Sequence, residues 1–360
     1  MPLLTLKDLE HLKTNKMVAF KPETINDLDV IIVTYMVADA DFWKQKNAHE
    51  LRGHTFDASS GKLISAAFEK FFNIGEKDET QIHKLNFKNA QFFEKVDASM
   101  LNTLVHDGKV YLKTKKSFYS EVAISATKNV TQNVLDLTLA IRELGYSSIL
   151  EYYHPDWKVV MNYGKTPQFT TLAARSLNDL SYMKYEDLQR LCDKFGVNVV
   201  KRYNTTIAQV MTEVDTVKNR EGYVILLENG VRVKQKFDWY RVNHRVQTEL
   251  RERDVALMVA METIDDVKAR LREEGYDLTQ IELVESRVVK ELTTLQSDID
   301  SCVAECVGLN PMQVAAKYKN HELRGLIMRK YKGQPFDLVD YWRKNYLKSY
   351  SLSCVYNNKW

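Results

Sequence analysis

Short runs of apolar residues, separated by turn-forming residues, fill most of the first 245 positions. The run over residues 29–38 predicts a strand, and the runs over 147–155 and 158–163 predict two strands paired around a Pro-Asp turn. A further strand is predicted over 168–176. Apolar residues at helical spacing predict helices at residues 3–15, 129–145, 185–196 and 205–218.

Asp107-Gly108 lies between two strand-like runs and predicts a two-residue hairpin turn. Counting back from that turn places Lys113 opposite Asn102 and Lys115 opposite Met100. Side chains two residues apart in a strand share a face, so both lysines are expected on one face of the hairpin. They could point into a functional site or belong to a solvated edge strand, and the hairpin alone favours the edge strand.

Asn229-Gly230 predicts a second hairpin, and this dipeptide is the strongest short-range signal for such a turn. A two-residue turn there places Lys236 opposite Tyr223 and close to Glu221. Lys234 lies two residues nearer the turn, on the same face as Lys236. The second hairpin is therefore expected to bring one carboxylate and two ammonium groups to the same end of a β-ribbon.

The pattern changes after about residue 245, where strand-like runs disappear. Four stretches with helical periodicity follow, broken by glycine and proline, at residues 251–275, 278–308, 311–333 and 335–350. We therefore predict an α+β N-terminal domain with antiparallel sheets over residues 1–245 and an all-helical C-terminal domain over residues 246–360.

The composition is that of a water-soluble globular protein, because 44% of the 360 residues are hydrophobic and 28% are charged. The net charge of +3 does not by itself indicate a nucleic-acid-binding protein, so any basic surface must be local. The four cysteines (Cys192, Cys302, Cys306 and Cys354) are scattered and are expected to be free thiols in a reducing cytoplasm. No apolar run reaches the ~18 residues of a membrane span, and no secretory leader is evident.

One stretch combines residues suited to phosphate chemistry. Glu94-Lys95-Val96-Asp97-Ala98-Ser99 follows two phenylalanines and places a lysine in apolar surroundings beside an aspartate. A lysine forms a covalent bond through its deprotonated amine, which burial and neighbouring cations favour. The sequence contains neither the Gly-x-x-x-x-Gly-Lys-Ser/Thr loop nor the Gly-x-Gly-x-x-Gly fingerprint. Lysines and glutamates are common, however, so residue types alone support a lysine nucleophile only weakly.

Four motifs, in order, resemble motifs I, III, IV and V of the covalent nucleotidyltransferases, the superfamily of ligases and capping enzymes. They are Lys95-x-Asp97, Glu151, Glu221-Gly222-Tyr223-Val224 and Lys234-x-Lys236-x-x-Trp239-Tyr240. Residues 50–53, 69–73 and 113–117 narrow the match, and with them the chain resembles the bacteriophage RNA ligase 1 family. The resemblance continues through residues 323–333 and 345–350, so it covers nearly the whole chain.

The resemblance implies an ATP-dependent RNA ligase with an ATP-grasp-like nucleotidyltransferase domain. Such an enzyme joins a 5′-phosphate to a 3′-hydroxyl through lysyl-AMP and RNA-adenylate intermediates. The implied cofactors are ATP and Mg²⁺ or Mn²⁺, and the implied substrate is single-stranded RNA or nicked tRNA. Repair of cleaved tRNA anticodon loops is the implied role, with the C-terminal domain as an RNA-specificity module. A cytoplasmic monomer without membrane contact is expected, in an infected bacterium if the gene is carried by a phage.

The same resemblance implies a role for each matched residue. Lys95 is the nucleophile, Glu151 contacts the ribose, and Glu221 is associated with the metal. Lys234 and Lys236 contact the α-phosphate. The other implied residues are Lys115 and Tyr240 for ligation, Tyr35, Arg52, Lys70 and Phe72 for the ATP pocket, and Asp265 for a divalent ion. As one of two adjacent acids on a predicted surface helix, Asp265 could also be merely solvated.

Ala98 departs from the family pattern, because it stands where motif I normally has glycine. If a positive φ is needed there, alanine costs on the order of 1 kcal/mol. If the backbone must approach the nucleotide, the methyl group could impair adenylylation.

Two alternatives to an active RNA ligase stay open. Ala98 allows a catalytically impaired RNA-binding protein, and the other alternative is a DNA ligase or capping-type enzyme. The helical C-terminus argues against the second, because those enzymes normally append a β-barrel.

Overall fold

The computed structural model describes residues 4–14, 16–36, 38–157, 160–273 and 276–355. The chain divides into two compact units, Met1–Val242 and Asn243–Trp360. No helix in these described ranges is long and apolar enough to cross a membrane. The predicted fold class is confirmed, since an α+β unit with largely antiparallel sheets precedes a helical unit.

The strands of the first unit build three sheets. In chain order they are β1 (Val18–Ile25), β2 (Leu28–Tyr35), β3 (Arg52–Asp57), β4 (Leu63–Ser65), β5 (Phe72–Asn73), β6 (Gln91–Glu94), β7 (Ser99–His106), β8 (Lys109–Lys113), β9 (Tyr146–Tyr153), β10 (Gln168–Ser176), β11 (Asn198–Val199), β12 (Arg202–Tyr203), β13 (Gly222–Leu226) and β14 (Arg232–Lys236). The first sheet has the order β1-β2-β3-β4, the second β11-β10-β9-β7-β8 and the third β12-β6-β13-β14-β5. The pairs β10–β11 and β5–β14 are parallel.

The strand predicted over residues 29–38 is β2, which pairs along its whole length with β1. The sequence did not indicate β1, because VAFKPETI is not a strongly apolar run. β1 lies at the edge of its sheet, where polar side chains and a proline such as Pro22 are tolerated.

The first predicted hairpin is present, and Lys113 lies opposite Asn102 as expected. The placement of Lys115 opposite Met100 is wrong, because β8 ends at Lys113 and Met100 pairs with Glu151 of β9. Met100 and Glu151, directly opposite each other, share one face of the second sheet.

The register predicted for the second hairpin is wrong by one residue. A backbone hydrogen bond of 2.8 Å from Leu227 to Val231 closes a three-residue loop rather than a two-residue turn. Lys236 therefore lies opposite Gly222 rather than Tyr223. Lys234 and Lys236 still share a face, but with this register strand alternation alone would place Glu221 on the other face. Glu221 lies just before β13, and it nevertheless contacts Lys236 at 2.9 Å.

Four helices accompany these sheets: α1 (Glu121–Asn129), α2 (Gln132–Glu143), α3 (Tyr185–Phe195) and α4 (Ile207–Glu213). The helices predicted at 129–145 and 185–196 are α2 and α3. The helix predicted at 205–218 is shorter than expected and is α4. The segment at 3–15 forms a 3₁₀ helix over Leu6–Leu12. The strand predicted at 158–163 is wrong, because residues 160–163 belong to no strand and 158–159 lie outside the described residues. β9 pairs instead with β7 and β10.

The second and third sheets each pack one face against an apolar core, and the opposite face of each lines a cavity. Leu137 of α2 packs with Leu150 of β9 in one apolar cluster, and Val233 of β14 is buried in another. Side chains alternate along a strand, so Glu151 and Lys234 point away from these two cores. Both line the cavity described below.

Helix α5 (Asp238–Glu249) runs from the first unit into the second, which continues with α6 (Glu252–Ala260), α7 (Ile264–Glu273), α8 (Thr279–Ala304), α9 (Pro311–Lys317), α10 (Arg324–Tyr331) and α11 (Leu338–Asn345). The four predicted helical stretches are helical, but the first and the third each contain two helices. α8 is central to the core, and the indole of Trp342 and the hydroxyl of Tyr350 donate to Glu291 on α8 at 2.8 and 2.9 Å. Trp342 and Tyr350 therefore pack inward.

Candidate active site

The candidate site centres on residues 95–98, which we call the crossing segment because it joins β6 of the third sheet to β7 of the second. The segment has no regular secondary structure, and neighbouring elements satisfy its backbone. The amide of Lys95 donates to the carbonyl oxygen of Gly222 at 3.0 Å. The amide of Ala98 donates to Glu151 Oε1 at 3.2 Å.

Glu221 holds two lysines through a single oxygen. Its Oε1 lies 2.7 Å from Lys95 Nζ and 2.9 Å from Lys236 Nζ. The Glu221 side chain is only 2% exposed, so two cations compensate one buried carboxylate. Its second oxygen, Oε2, is buried without a hydrogen-bond partner among the described residues. An unpaired buried carboxylate oxygen is suited to a ligand that the protein itself does not supply.

Gly222 makes the approach of these charges possible. Its φ is +147°, and a Cβ atom there would lie 2.0 Å from the carbonyl oxygen of Gln235 on β14. Only glycine therefore allows β13 and β14 to pair this closely beside Glu221.

A cavity of about 580 Å³ opens beside the crossing segment. Its polar wall contains the predicted residues Lys95, Glu151, Arg52, Lys234 and Lys236. Its apolar wall includes Phe71, Met100, Leu172, Val224 and Leu226. An apolar wall next to several cations is a combination suited to a nucleotide, with the base against the apolar side chains and the phosphates at the cations.

The ammonium groups of Lys234 and Lys115 have lowered pKa values, so they lose their positive charge more readily than an ordinary lysine. Burial, together with the charges of Lys70 and Lys95, lowers the pKa of Lys234 to about 8. Burial, together with the charges of Lys116 and Arg52, lowers the pKa of Lys115 to about 8. An anion bound between such groups would relieve their mutual repulsion.

The predicted residues Tyr35, Lys70, Phe72 and Lys115 form a cluster of rings and ammonium groups. Lys115 Nζ lies 3.7 Å from the ring centroid of Tyr35, and Lys70 Nζ lies 4.8 Å from that of Phe72. Burial lowers the pKa of Lys70. Arg52 links the cluster to the cavity, since its charge acts on both lysines and its side chain lines the cavity wall.

Glu151 faces the cavity from β9 as a buried acid. Burial raises its pKa to about 8, while the charge of Lys95 opposes the rise and that of Glu221 reinforces it. The group is therefore mainly protonated at neutral pH and can donate as well as accept a hydrogen bond. A ribose hydroxyl offers both complementary functions.

Tyr240 acts on the crossing segment from α5. Its hydroxyl donates to Asp97 Oδ1 at 2.6 Å, and Lys236 Nζ lies 4.7 Å from the centroid of its ring. Burial and the charges of Glu221 and Asp97 raise the pKa of Tyr240, so this phenol stays protonated. The tyrosine thus connects Asp97 with the lysine pair.

Ala98 is not among the residues with positive φ in the described part of the chain. The methyl group therefore causes no backbone strain of the kind that would require glycine. Ala98 does line the cavity. Whether its methyl group hinders a bound nucleotide therefore depends only on the space available there.

Asp265 lies in the second unit, exposed in the first turn of α7. Within the described ranges, the one group of at least three metal-ligating side chains with converging ligand atoms is Asp27, His106 and Asp107. It includes neither Asp265 nor Glu221. His106 lies 3.1 Å from Asp27 and 3.4 Å from Asp107, distances that ion pairs at two hairpin turns explain.

Sequence reasoning missed a buried ion-pair network, of which Arg232 and Tyr182 line the cavity. Arg232 lies 3.1 Å from Glu69, and its guanidinium carbon lies 3.6 Å from the ring centroid of Tyr182. Arg175 lies 3.5 Å from Glu69 and forms a bidentate pair with Glu50 at 2.8 and 2.9 Å. These residues come from distant parts of the chain, and no local pattern marks them as neighbours.

A protein-family model described as RNA ligase matches residues 50–241, just over half of the chain. The chain therefore belongs to this RNA ligase family, which confirms the resemblance found in the sequence. The matched range contains ten of the twelve predicted site residues, all except Tyr35 and Asp265. They are Arg52, Lys70, Phe72, Lys95, Lys115, Glu151, Glu221, Lys234, Lys236 and Tyr240.

Individual relatives agree with this family. The "Putative RNA ligase" of Thermovibrio ammonificans is 27% identical over 251 residues, which are 68% of this chain and 64% of that protein. RNA ligase 1 of bacteriophage TS2126 is 26% identical over 161 residues, 42% of this chain and 40% of the relative. The chain thus matches less than two thirds of the length of either relative. A solved structure described as a putative ATP-dependent DNA ligase from Aquifex aeolicus is similar at 14% identity and a TM-score of 0.47, with 81% of this chain and 80% of that one covered.

Proposed function

We propose that this protein is an ATP-dependent RNA ligase that joins a 5′-phosphate to a 3′-hydroxyl. The observation that carries the proposal is the position of Lys95 Nζ, 2.7 Å from Glu221 in a cavity that also contains Lys234, Lys236 and Glu151. A nucleophilic lysine, a proton acceptor and a set of cations are the parts that adenylyl transfer needs.

In the first step, the deprotonated amine of Lys95 attacks the α-phosphorus of ATP. A P–N bond forms, the bond to the bridging oxygen breaks, and pyrophosphate leaves. Glu221 Oε1 is the nearest carboxylate oxygen placed to accept the proton that Lys95 loses. Lys234 and Lys236 neutralise the α-phosphate, and Arg52, Lys70 and Lys115 surround the other phosphates.

Two transfers complete the reaction. An oxygen of the RNA 5′-phosphate attacks the lysyl-AMP phosphorus, the P–N bond breaks, and Lys95 regains a proton. The 3′-hydroxyl of a second RNA end then attacks the 5′-phosphorus, so that a phosphodiester forms and AMP leaves. Tight positioning by the crossing segment matters in every step, because in-line transfer depends on the geometry of the reacting atoms.

A divalent ion fits the residues around Glu221. Buried Oε2 has no partner among the described residues, and a carboxylate oxygen is a ligand that Mg²⁺ or Mn²⁺ accepts. Mg²⁺ commonly completes its coordination with waters and substrate phosphates, so one protein carboxylate is sufficient. When bound, the ion neutralises charge on the phosphate oxygens. The metal role predicted for Asp265 stays a prediction.

We further propose that the last part of the chain contacts RNA. Residues 252–305 contain 14 acidic and 6 basic residues, whereas residues 311–360 contain 3 acidic and 10 basic ones. Arg324, Arg329 and Lys332 are exposed, and none of them has an ion-pair partner in the described ranges. Free exposed cations on one part of a unit attract the phosphate backbone of RNA. By the family resemblance, nicked tRNA is the substrate that this region would favour.

One experiment tests the ligase proposal. The full-length protein is incubated with labelled ATP and magnesium, and then with 5′-phosphorylated single-stranded RNA or DNA in parallel. We expect a covalent adenylate that requires Lys95, followed by RNA circles. Absence of the adenylate contradicts the proposal, and preferential joining of DNA favours the DNA ligase alternative.

A second experiment tests the RNA-contact proposal. The double variant Arg329→Glu/Lys332→Glu is compared with Arg272→Glu/Lys290→Glu, which reverses two exposed charges in the acidic part. We expect the first to weaken joining of nicked tRNA by about 10-fold or more, as loss of phosphate contacts does, with unchanged self-adenylylation. Equal effects of the two variants would contradict the proposed contact.

A further inference from the structure

The crossing segment is anchored to three different elements. The amide of Lys95 is bound by β13 and that of Ala98 by β9. The amide of Asp97, between them, donates to the hydroxyl oxygen of Tyr163 at 2.9 Å. Tyr163 belongs to a loop 66 residues further along the chain, which has no other function in the reaction described above.

This loop, residues 160–164, also holds the side chain of Asp97, and we call it the clamp loop. The amides of Val160 and Met161 donate to Asp97 Oδ2 at 2.9 and 2.8 Å. Together with the bond to Tyr163, three hydrogen bonds therefore join the clamp loop to one residue. Asp97 is only 4% exposed, so these bonds form away from competing water.

The clamp loop is itself fixed to β9 and β10. The hydroxyl of Tyr153, two residues after Glu151, shares its one proton between Asn162 Oδ1 at 3.1 Å and the carbonyl oxygen of Gly164 at 2.9 Å. The rings of Tyr153 and Tyr163 pack edge to face, with centroids 5.2 Å apart. Gln168 Nε2 donates to the carbonyl oxygen of Tyr163 at 2.6 Å. The clamp loop therefore links the crossing segment to β9, the middle strand of the second sheet.

We propose that Tyr163 is a positioning residue for Lys95. By holding the amide of Asp97, its hydroxyl oxygen fixes the backbone that directs the Lys95 side chain toward Glu221. Tyr163 does not touch the reacting atoms, and the inference that it serves catalysis rests on the proposed ligase function. Burial keeps the phenol protonated by raising its pKa, so it remains a neutral acceptor over the working pH range.

The test uses Tyr163→Phe, which retains the ring packed on Tyr153 and removes the acceptor oxygen. Tyr111→Phe is the matched control, because the Tyr111 hydroxyl also accepts an N–H bond, from Asn26 at 2.5 Å, in a different part of the unit. With labelled ATP, we expect Tyr163→Phe to adenylylate about 10-fold more slowly at saturating ATP, as misplacement of a nucleophile does. The ATP concentration that gives the half-maximal rate should stay within about 2-fold, because the nucleotide contacts are intact. The control should match the wild type in both quantities.

Hydrogen exchange measured by mass spectrometry on the full-length protein tests the clamp without any activity. We expect the peptide that contains Asp97 to exchange faster in Tyr163→Phe than in the wild type and in Tyr111→Phe. Unchanged exchange overturns the proposal. So does a wild-type adenylylation rate, or a change confined to the half-maximal ATP concentration. If the wild type forms no adenylate, the ligase function fails, and the exchange result still decides whether Tyr163 holds the segment.

Discussion

Lys95, just after β6, and Glu221, just before β13, approach within 2.7 Å at the ends of two interior strands of the third sheet, and Lys236 contacts the same carboxylate oxygen at 2.9 Å. Either lysine can therefore compensate the carboxylate when the other is removed. Removal of Lys95 leaves Glu221 paired with Lys236, so the buried carboxylate stays compensated and the fold should persist.

We therefore predict that Lys95→Ala abolishes the covalent adenylate without unfolding the protein. Glu221→Gln should keep the shape of the site but slow adenylylation by about 100-fold or more, because a charged group at the reacting centre is lost. Gel analysis with labelled ATP, together with a thermal melt, checks both variants. Lys128→Ala, which removes an exposed lysine on α1, is the control and should behave like the wild type. Labelling of Lys95→Ala would assign the nucleophile to another residue.

Affinity for ATP should depend on pH through Lys234, whose pKa burial lowers to about 8. The side chain is charged below that pH and loses its charge as the pH rises through it. We predict that the KM for ATP rises between pH 7 and 9. Lys234→Arg, which keeps its charge throughout this range, should show a flatter profile. Parallel profiles for the two proteins would show that Lys234 is not the titrating group.

The free energy of unfolding should also depend on pH, and the raised pKa of Glu151 sets the direction of the change. Its pKa is about 8 in the folded protein against 4.5 for an ordinary glutamate, so the folded state holds the extra proton between these values. The contribution to stability is fully present below the lower value and is lost as the pH rises toward the upper one. The slope for one proton is at most about 1.4 kcal/mol per pH unit. Urea unfolding of the wild type and of Glu151→Gln at pH 5.5, 7 and 8.5 measures it. A stability difference between the two proteins that does not change with pH would contradict the assignment.

Ala98→Gly tests the departure from the family pattern. Because Ala98 is not among the described residues with positive φ, glycine relieves no strain, and the adenylylation rate should stay within about 3-fold of the wild type. The free energy of unfolding should fall by about 0.4–1 kcal/mol, since glycine gives the unfolded chain more freedom. A large gain in rate would show instead that the methyl group obstructs the nucleotide.

Gly222→Ala should disrupt the site that Ala98→Gly leaves intact. The added Cβ would lie 2.0 Å from the carbonyl oxygen of Gln235, so β13 and β14 must separate. We expect the free energy of unfolding to fall by about 3 kcal/mol or more, with loss of adenylylation. Gly230→Ala is the matched control, because Gly230 has a φ of +85° but open space around it, and it should cost about 1 kcal/mol. Equal losses would mean that the close approach at Gly222 is unimportant.

Local patterns predicted about half of the strands of this chain and most of its longer helices, but not the contacts between them. The Asn229-Gly230 signal located the second hairpin, yet the three-residue loop moved the register by one position. Lys234 and Lys236 still share a face, because the alternation of side chains along β14 does not depend on the turn. The contact of Glu221 with Lys236 was expected from the wrong register, and it forms because Glu221 lies outside the paired part of β13. For Lys115, by contrast, counting failed because the strand ends two residues before it.

The segment 158–163 shows why part of the site was not predictable. Its short apolar run resembles a strand, but the amides of Val160 and Met161 bind a carboxylate more than 60 residues earlier. Such long-range bonds leave no trace in the spacing of nearby residues. The order of family motifs supplied most of the predicted site residues, whereas Tyr163 and Arg232 belong to no motif and emerged only from the three-dimensional contacts.

The buried pairing of Glu69 with Arg232 has a consequence for synthesis of the protein. Arg232 leaves the ribosome 163 residues after Glu69. Until it does, the carboxylate must remain hydrated or rely on Arg175 alone, because an uncompensated buried charge is costly. The ion-pair network around Glu69 can therefore be completed only late in translation, and nascent chains that stop short of Arg232 should lack this buried pair.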